Sequence, residues 1–142
     1  MIHTRDEKLL SSLDADIKAA FETLMIHQTK QSLYSFLQEV QPGRLLVNRD
    51  FLASDWRTKG YFFSFDPLIE GNSYPQPSLF LLGRQDAICG YRDHVELLEH
   101  FPASTFSILD SAGHMLEIEQ RSLVQTHFSD WLDRLALYTA SK

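Results

Sequence analysis

Two short apolar runs, each followed by a helical pattern, dominate the carboxyl-terminal half of the chain. Residues 79–82 are Leu-Phe-Leu-Leu and end at Gly83, and residues 105–109 form a second strand-like run. Residues 91–100 and 119–138 place apolar side chains at helical spacing. Short continuous apolar runs that alternate with helices are typical of buried parallel strands. The sequence therefore predicts an α/β fold in which residues 79–142 form a βαβα unit with parallel strands.

The amino-terminal half has a different pattern, in which helical signals are short and closely spaced. Apolar residues recur at helical spacing within residues 9–17 and again within residues 33–40, where Thr29 is placed to cap the helix. Pro42-Gly43 is expected to end this second helix, because proline disrupts a helix interior. Residues 50–59 predict a third helix. This half is therefore expected to be helical.

A Pro-rich stretch at residues 71–77 separates the two halves, because it can continue neither a helix nor a central strand. The aromatic run at residues 61–65, Tyr-Phe-Phe-Ser-Phe, comes just before it and is too apolar to be left in water. We predict a helical region at residues 1–70, a linker at 71–78 and the βαβα unit at 79–142.

Charge and composition exclude several classes of partner. The formal charge of −6 over 142 residues comes from mixed acids and bases with no basic stripe, so no nucleic-acid partner is expected. No apolar run approaches the roughly 20 residues of a membrane span, so no membrane association is expected. A single cysteine, Cys89, cannot form an internal disulfide, which fits a cytoplasmic protein.

Each predicted strand of the βαβα unit leads into a loop that ends in a titratable residue. Gly83-Arg84-Gln85-Asp86 follows the first strand, and Asp110-Ser111-Ala112-Gly113-His114 follows the second. The carboxyl ends of adjacent parallel strands meet at one edge of the sheet, so we expect Asp86 and His114 to meet there. A carboxylate that holds an imidazole in one tautomer is the acid and base arrangement of a catalytic triad. Gly113 is expected to let the backbone turn sharply before His114.

At these residues the sequence resembles the carboxyl-terminal part of α/β-hydrolases. The resemblance covers residues 77–135 and rests on the strand-GxxD and strand-GH turns and the two following helices, with Glu119 and Trp131-Leu132 in matching positions. It implies a partial α/β-hydrolase fold in which Asp86 and His114 are the triad acid and histidine. More loosely, it implies that the helical half corresponds to the cap that covers the active site in such hydrolases.

The sequence departs from the family pattern because it contains no GxSxG nucleophile elbow. The early strands and the oxyanion-hole loop that precede this elbow are also missing. The resemblance therefore implies a hydrolase of small esters or ketones that is inactive as an isolated chain and needs an amino-terminal hydrolase chain to complete it. Two strands also leave an open sheet edge, so the alternative is a non-catalytic remnant that forms homo-oligomers.

Other residues with reactive side chains have simpler interpretations. A small independent enzyme that uses Cys89 and His114 is a third possibility, but local spacing places no histidine to activate Cys89. Ser111 has no elbow motif, and Asp93 fits a solvated helical carboxylate. The other histidines show no spacing typical of metal ligands, so we predict no metal site and no cofactor: His3, His27, His94, His100 and His127.

Overall fold

The computed structural model describes residues 2–60 and 73–142, and within them the chain has an α/β architecture. The predicted aromatic run at residues 61–65 and the start of the predicted linker lie outside the described residues. The strands are β1 Thr4–Arg5, β2 His27–Gln28, β3 Ser78–Gly83 and β4 Ser104–Leu109. The α-helices are α1 Glu7–Ser11, α2 Ala15–Leu24, α3 Lys30–Ser35, α4 Gln41–Leu45, α5 Arg49–Ala53, α6 Trp56–Lys59, α7 Leu116–Glu119 and α8 Arg121–Ala140.

The carboxyl-terminal half contains the predicted order of strand, helix, strand and helix. β3 and β4 pair in parallel with Ser78 opposite Ser104 and Gly83 opposite Leu109. The connection between them contains a 3₁₀ helix over Tyr91–His100, the segment in which the sequence indicates a helix. The last predicted helix is present as α7 and α8, which are separated at Gln120.

Within residues 2–60 the amino-terminal half is mainly helical, with helix boundaries that differ from the predicted ones. Thr29 caps α3 in a capping box with Ser32, as its position predicts. The prediction that Pro42 ends the second helix is wrong, because a π-helical turn over Phe36–Val40 leads directly into α4. Pro42 then lies in the first turn of α4, where a missing backbone N–H costs little.

The most deeply buried apolar cluster lies in the helical half. It consists of Leu10, Phe21, Met25, Leu33 and Phe36, against which Met115 and Ile118 of the other half pack. The short parallel pair β1 and β2, which the sequence pattern does not predict, joins the amino terminus to the segment after α2. The two halves therefore share a core on the helical side.

Helix α8 has 20 residues, none of which is buried. Its predicted apolar stripe includes Phe128 and Leu132, which remain 50% and 44% exposed. Trp131 contacts the start of β3, because its indole Nε1 donates to the carbonyl of Pro77 at 2.9 Å. A two-stranded sheet covers only part of this stripe, so α8 keeps an exposed apolar face. No helix among the described residues has the length and hydrophobicity needed to span a membrane.

Candidate active site

β3 and β4 end at the same level of the sheet, so the loops that follow them lie side by side at one edge. Because Gly83 is opposite Leu109, the loop to Asp86 and the loop to His114 start at the same level. The backbone N–H of Arg84 donates to the carbonyl oxygen of Leu109 at 2.9 Å. The backbone N–H of Gln85 donates to the carbonyl oxygen of Ala112, also at 2.9 Å. These bonds extend the strand pairing into the loops and fix their relative position.

Gly83 allows the two loops to approach closely. A Cβ atom at this position would overlap the carbonyl oxygen of Gly113 and would lie 2.7 Å from that of Ala112. Contacts this short to backbone atoms are not relieved by side-chain rotation. The close approach of the neighbouring loop therefore requires glycine at the end of β3.

The side chain of Gln85 makes a second connection between the loops. Its Nε2 donates to Asp110 Oδ1 at 2.7 Å, and its Oε1 accepts from the backbone N–H of Ala112 at 3.2 Å. The bond from Gln85, together with the backbone N–H of Ser111, lowers the pKa of Asp110 below its ordinary value. Gln85 therefore helps to hold the rim of the site in one conformation.

Replacing Gln85 with alanine is expected to raise the pKa of Asp110 toward its ordinary value of about 3.9. The pKa of Asp110 is lower in the folded chain than in the unfolded chain. Its contribution to stability is therefore present when the pH is above the pKa of the unfolded chain, and is lost as the pH falls through the pKa of the folded chain. Q85A should therefore lower stability at neutral pH and reduce the dependence of stability on pH below about 4. NMR titration of the Asp110 carboxyl and urea unfolding at several pH values measure both effects. Q125A, at an exposed position on α8, is the control, and an equal effect there would contradict this role.

Asp86 has a nearly buried carboxylate whose two oxygens have separate partners. The side chain is 7% exposed. Its Oδ1 accepts from the backbone N–H groups of Ile88 at 2.8 Å and Cys89 at 3.0 Å, and its Oδ2 lies 3.0 Å from His114 Nδ1. Burial raises the pKa of Asp86, but the hydrogen bonds from Cys89, Ile88 and His114 together outweigh it and lower the pKa overall. The carboxylate is therefore ionised at neutral pH.

His114 is held by the helical half as well as by its own strand. The backbone N–H groups of His114 and Met115 donate to the carbonyl of Leu24, at the end of α2, at 3.1 and 3.3 Å. The Glu119 carboxylate accepts three backbone N–H bonds, from Ile26 at 2.7 Å, His27 at 2.8 Å and Gly113 at 2.6 Å. Glu119 therefore joins the turn before His114 to the segment after α2, a role that local spacing does not indicate.

The sharp turn before His114 is made by Ser111. Among the described residues, Ser111 is the non-glycine residue with a positive φ, 55°. Its Oγ lies 3.1 Å from His3 Nδ1. The φ of Gly113 does not lie in the left-handed region, so the prediction that Gly113 provides the sharp turn is wrong. A Cβ at Gly113 would lie 3.1 Å from the Leu24 carbonyl oxygen and 3.2 Å from Glu119 Oε2, so its role is close packing.

Cys89 lies beside the Asp86 and His114 pair. A carboxylate oxygen, the thiol sulfur and an imidazole nitrogen from these three residues all lie within 4.8 Å of one another. Cys89 is exposed and has a free thiol. Local spacing along the sequence does not predict that His114 lies near Cys89, because the two meet only through the pairing of β3 with β4.

The remaining reactive residues lie outside this cluster. Asp93 is exposed on the 3₁₀ helix. Four other histidines have hydrogen-bond partners of their own: His3 with Ser111, His27 with Thr4, His94 with the Gly90 carbonyl and His127 with Ser107. The site is therefore centred on Asp86 and His114, with Cys89 at its edge.

Comparisons of the chain with protein-family models, with curated proteins and with solved structures each find no significant match. The functional assignment therefore depends on the geometry of the site.

Proposed function

We propose that this chain supplies the acid and base pair of an α/β-hydrolase type of active site, with His114 as general base and Asp86 as the residue that orients it. A second chain supplies the nucleophilic serine and the oxyanion hole. The observation that carries the proposal is the 3.0 Å contact between His114 Nδ1 and Asp86 Oδ2. These residues are 28 positions apart and meet at the ends of two paired strands.

The contact supports one position for the proton on the imidazole. An ionised carboxylate can only accept a hydrogen bond, so a neutral His114 carries its proton on Nδ1. Its Nε2 is then the unprotonated nitrogen that can take a proton from a nucleophile. The His114 side chain is 29% exposed, whereas Asp86 is 7% exposed. This difference supports a buried orienting carboxylate beneath an accessible base.

A second chain is part of the proposal because the nucleophile motif of such hydrolases does not occur in this sequence. The sequence contains no GxSxG elbow. Among the described residues, β3 pairs only with β4. Leu79 and Leu81 of β3 and Phe128 and Trp131 of α8 line a shallow apolar cavity. The missing strands of an α/β-hydrolase core would supply an apolar surface to cover it.

The completed site would hydrolyse small esters. His114 Nε2 takes the proton of the serine hydroxyl while the serine oxygen attacks the ester carbonyl carbon. The protonated imidazole then gives that proton to the alcohol that leaves. Water hydrolyses the acyl-enzyme by the same route, with His114 again acting as base. Hydrolysis of a carbon–carbon bond next to a ketone would use the same pair to activate serine or water.

The deciding experiment mixes this chain with the amino-terminal part of an α/β-hydrolase that contains the elbow. Hydrolysis of short aryl esters should require both chains and should be lost with H114Q. The matched control is H94Q, which changes a histidine of the same half outside the site. If no amino-terminal partner produces activity and sedimentation shows a stable homodimer, the exposed apolar face serves self-association, and the alternative of a non-catalytic remnant is supported.

Replacing Asp86 with asparagine is expected to disturb the proton position on His114. The asparagine side chain can present a donor to Nδ1, so the imidazole loses its single tautomer. In the completed enzyme, the turnover number should fall by about 10³–10⁴-fold. In the isolated chain, ¹⁵N NMR of the ring nitrogens should show the Nδ1–H tautomer in the native protein and a mixture in D86N. A native spectrum dominated by the Nε2–H tautomer would contradict the proposal without any activity measurement.

A further inference from the structure

The geometry points to a zinc-binding site formed by Asp86, Cys89 and His114, in contrast to the prediction from sequence spacing that there is no metal site. This use of the residues needs no second chain and is independent of hydrolysis. The three side chains offer one oxygen, one sulfur and one nitrogen ligand, the donor types that Zn²⁺ takes in proteins. They come from the loop after β3 and the loop after β4, so the strand pairing forms the site.

The distances fit a metal centre after small side-chain movements. The three ligand atoms lie within 4.8 Å of one another. Three atoms at such separations can all lie within about 2.8 Å of one point, compared with zinc–ligand distances of about 2.0–2.3 Å. Cys89 is exposed, so its sulfur can approach by rotation about one bond without displacing buried groups. Only a shift of less than about 1 Å per ligand is then needed.

The surroundings also favour binding by these three residues. Asp86 is held by the backbone N–H groups of Ile88 and Cys89, so its carboxylate is already oriented toward His114. His114 is fixed from the other side by the Leu24 carbonyl through its backbone. Ligands held by surrounding hydrogen bonds lose less freedom when the metal binds. Cys89 binds as the thiolate, and its proton passes to solvent.

The ligand set favours zinc over magnesium or calcium, because thiolate and imidazole are poor ligands for these hard cations. Three protein ligands leave a fourth position for water, which is the arrangement of open zinc sites. Zinc at this position also occupies the carboxylate and the imidazole that hydrolysis requires. Metal binding and general base catalysis by His114 are therefore mutually exclusive uses of this site.

The test is titration of the full chain with Zn²⁺ by calorimetry and with Co²⁺ by absorption spectroscopy. We expect one metal ion per chain, a Kd of about 10 µM or tighter, and a sulfur-to-cobalt charge-transfer band. C89S should abolish that band, and C89S and H114Q should each weaken Zn²⁺ binding at least tenfold. D93N and H127Q, which change an acid and a histidine outside the cluster, should bind Zn²⁺ as the native chain does. Circular dichroism of each variant verifies that it is folded.

Three results would overturn the proposal: no stoichiometric Zn²⁺ binding, binding of cobalt without the charge-transfer band, or equal weakening in D93N and H127Q. The outcome is separable from that of the proposed hydrolase function. Zinc binding is measured on the isolated chain, whereas ester hydrolysis is measured on the completed enzyme in the presence of a chelator. Either proposal can therefore fail while the other stands.

Discussion

Replacing Gly83 with alanine is expected to destabilise the chain by about 3 kcal/mol and to separate Asp86 from His114. The added Cβ would overlap the carbonyl oxygen of Gly113 and lie 2.7 Å from that of Ala112. Backbone atoms cannot move aside as a flexible side chain does, so the loop to His114 must shift. Urea unfolding measures the loss of stability, and the tautomer of His114 by ¹⁵N NMR reports whether the contact with Asp86 survives.

Gly43 provides a matched control for this substitution. It lies within α4, and a Cβ added there would meet no atom within 4 Å. G43A should therefore leave stability unchanged or raise it by about 0.5–1 kcal/mol, because alanine favours a helix more than glycine does. If G83A and G43A had the same small effect, the close approach of the two loops would not be a feature of the folded chain.

Replacing Glu119 with alanine is expected to lower the free energy of unfolding by about 2–4 kcal/mol. Its carboxylate accepts backbone N–H bonds from Ile26, His27 and Gly113. Hydrogen bonds to a charged group contribute about 1.5–3 kcal/mol each, and part of this is recovered by water in the variant. Because these bonds join the two halves, E119A should also loosen the turn before His114, which amide hydrogen exchange at Gly113 and His114 would measure.

Two further variants distinguish this role from a general effect of charge. E119Q retains an oxygen for Ile26 and His27 but presents an amide donor to the N–H of Gly113, so its loss of stability should be intermediate. E117A removes an exposed acid of the same helix and should change stability by less than about 0.5 kcal/mol. Equal losses in E117A and E119A would show that the three backbone contacts of Glu119 contribute little.

The parts of the fold that could be predicted from sequence depend on local patterns. The apolar runs before Gly83 and Asp110 predict β3 and β4, and the strand ends predict that Asp86 and His114 meet. The capping position of Thr29 is likewise a local signal. These features depend on side-chain periodicity, which the sequence shows, and on the parallel pairing that is expected where strands alternate with helices.

The parts that could not be predicted depend on contacts between distant segments. β1 and β2 are two residues each and are too short for a periodic signal. Glu119 contacts Ile26 and His27 across more than 90 positions of sequence. Cys89 meets His114 only because two loops converge. No residue pattern within one segment indicates such contacts, since each arises from the packing of elements that are separately specified.

The carbonyl of Leu24 accepts hydrogen bonds from the backbone N–H groups of His114 and Met115, so the motion of the histidine loop is coupled to the end of α2. The backbone of the turn at His114 is anchored to the last residue of α2, in the helical half of the chain. Fraying of that helix end is a local unfolding event that releases the histidine loop at the same time. The fraction of molecules with a correctly placed imidazole then depends on the stability of the carboxyl-terminal end of α2. Substitutions that stabilise this helix would therefore increase that fraction without contacting the site.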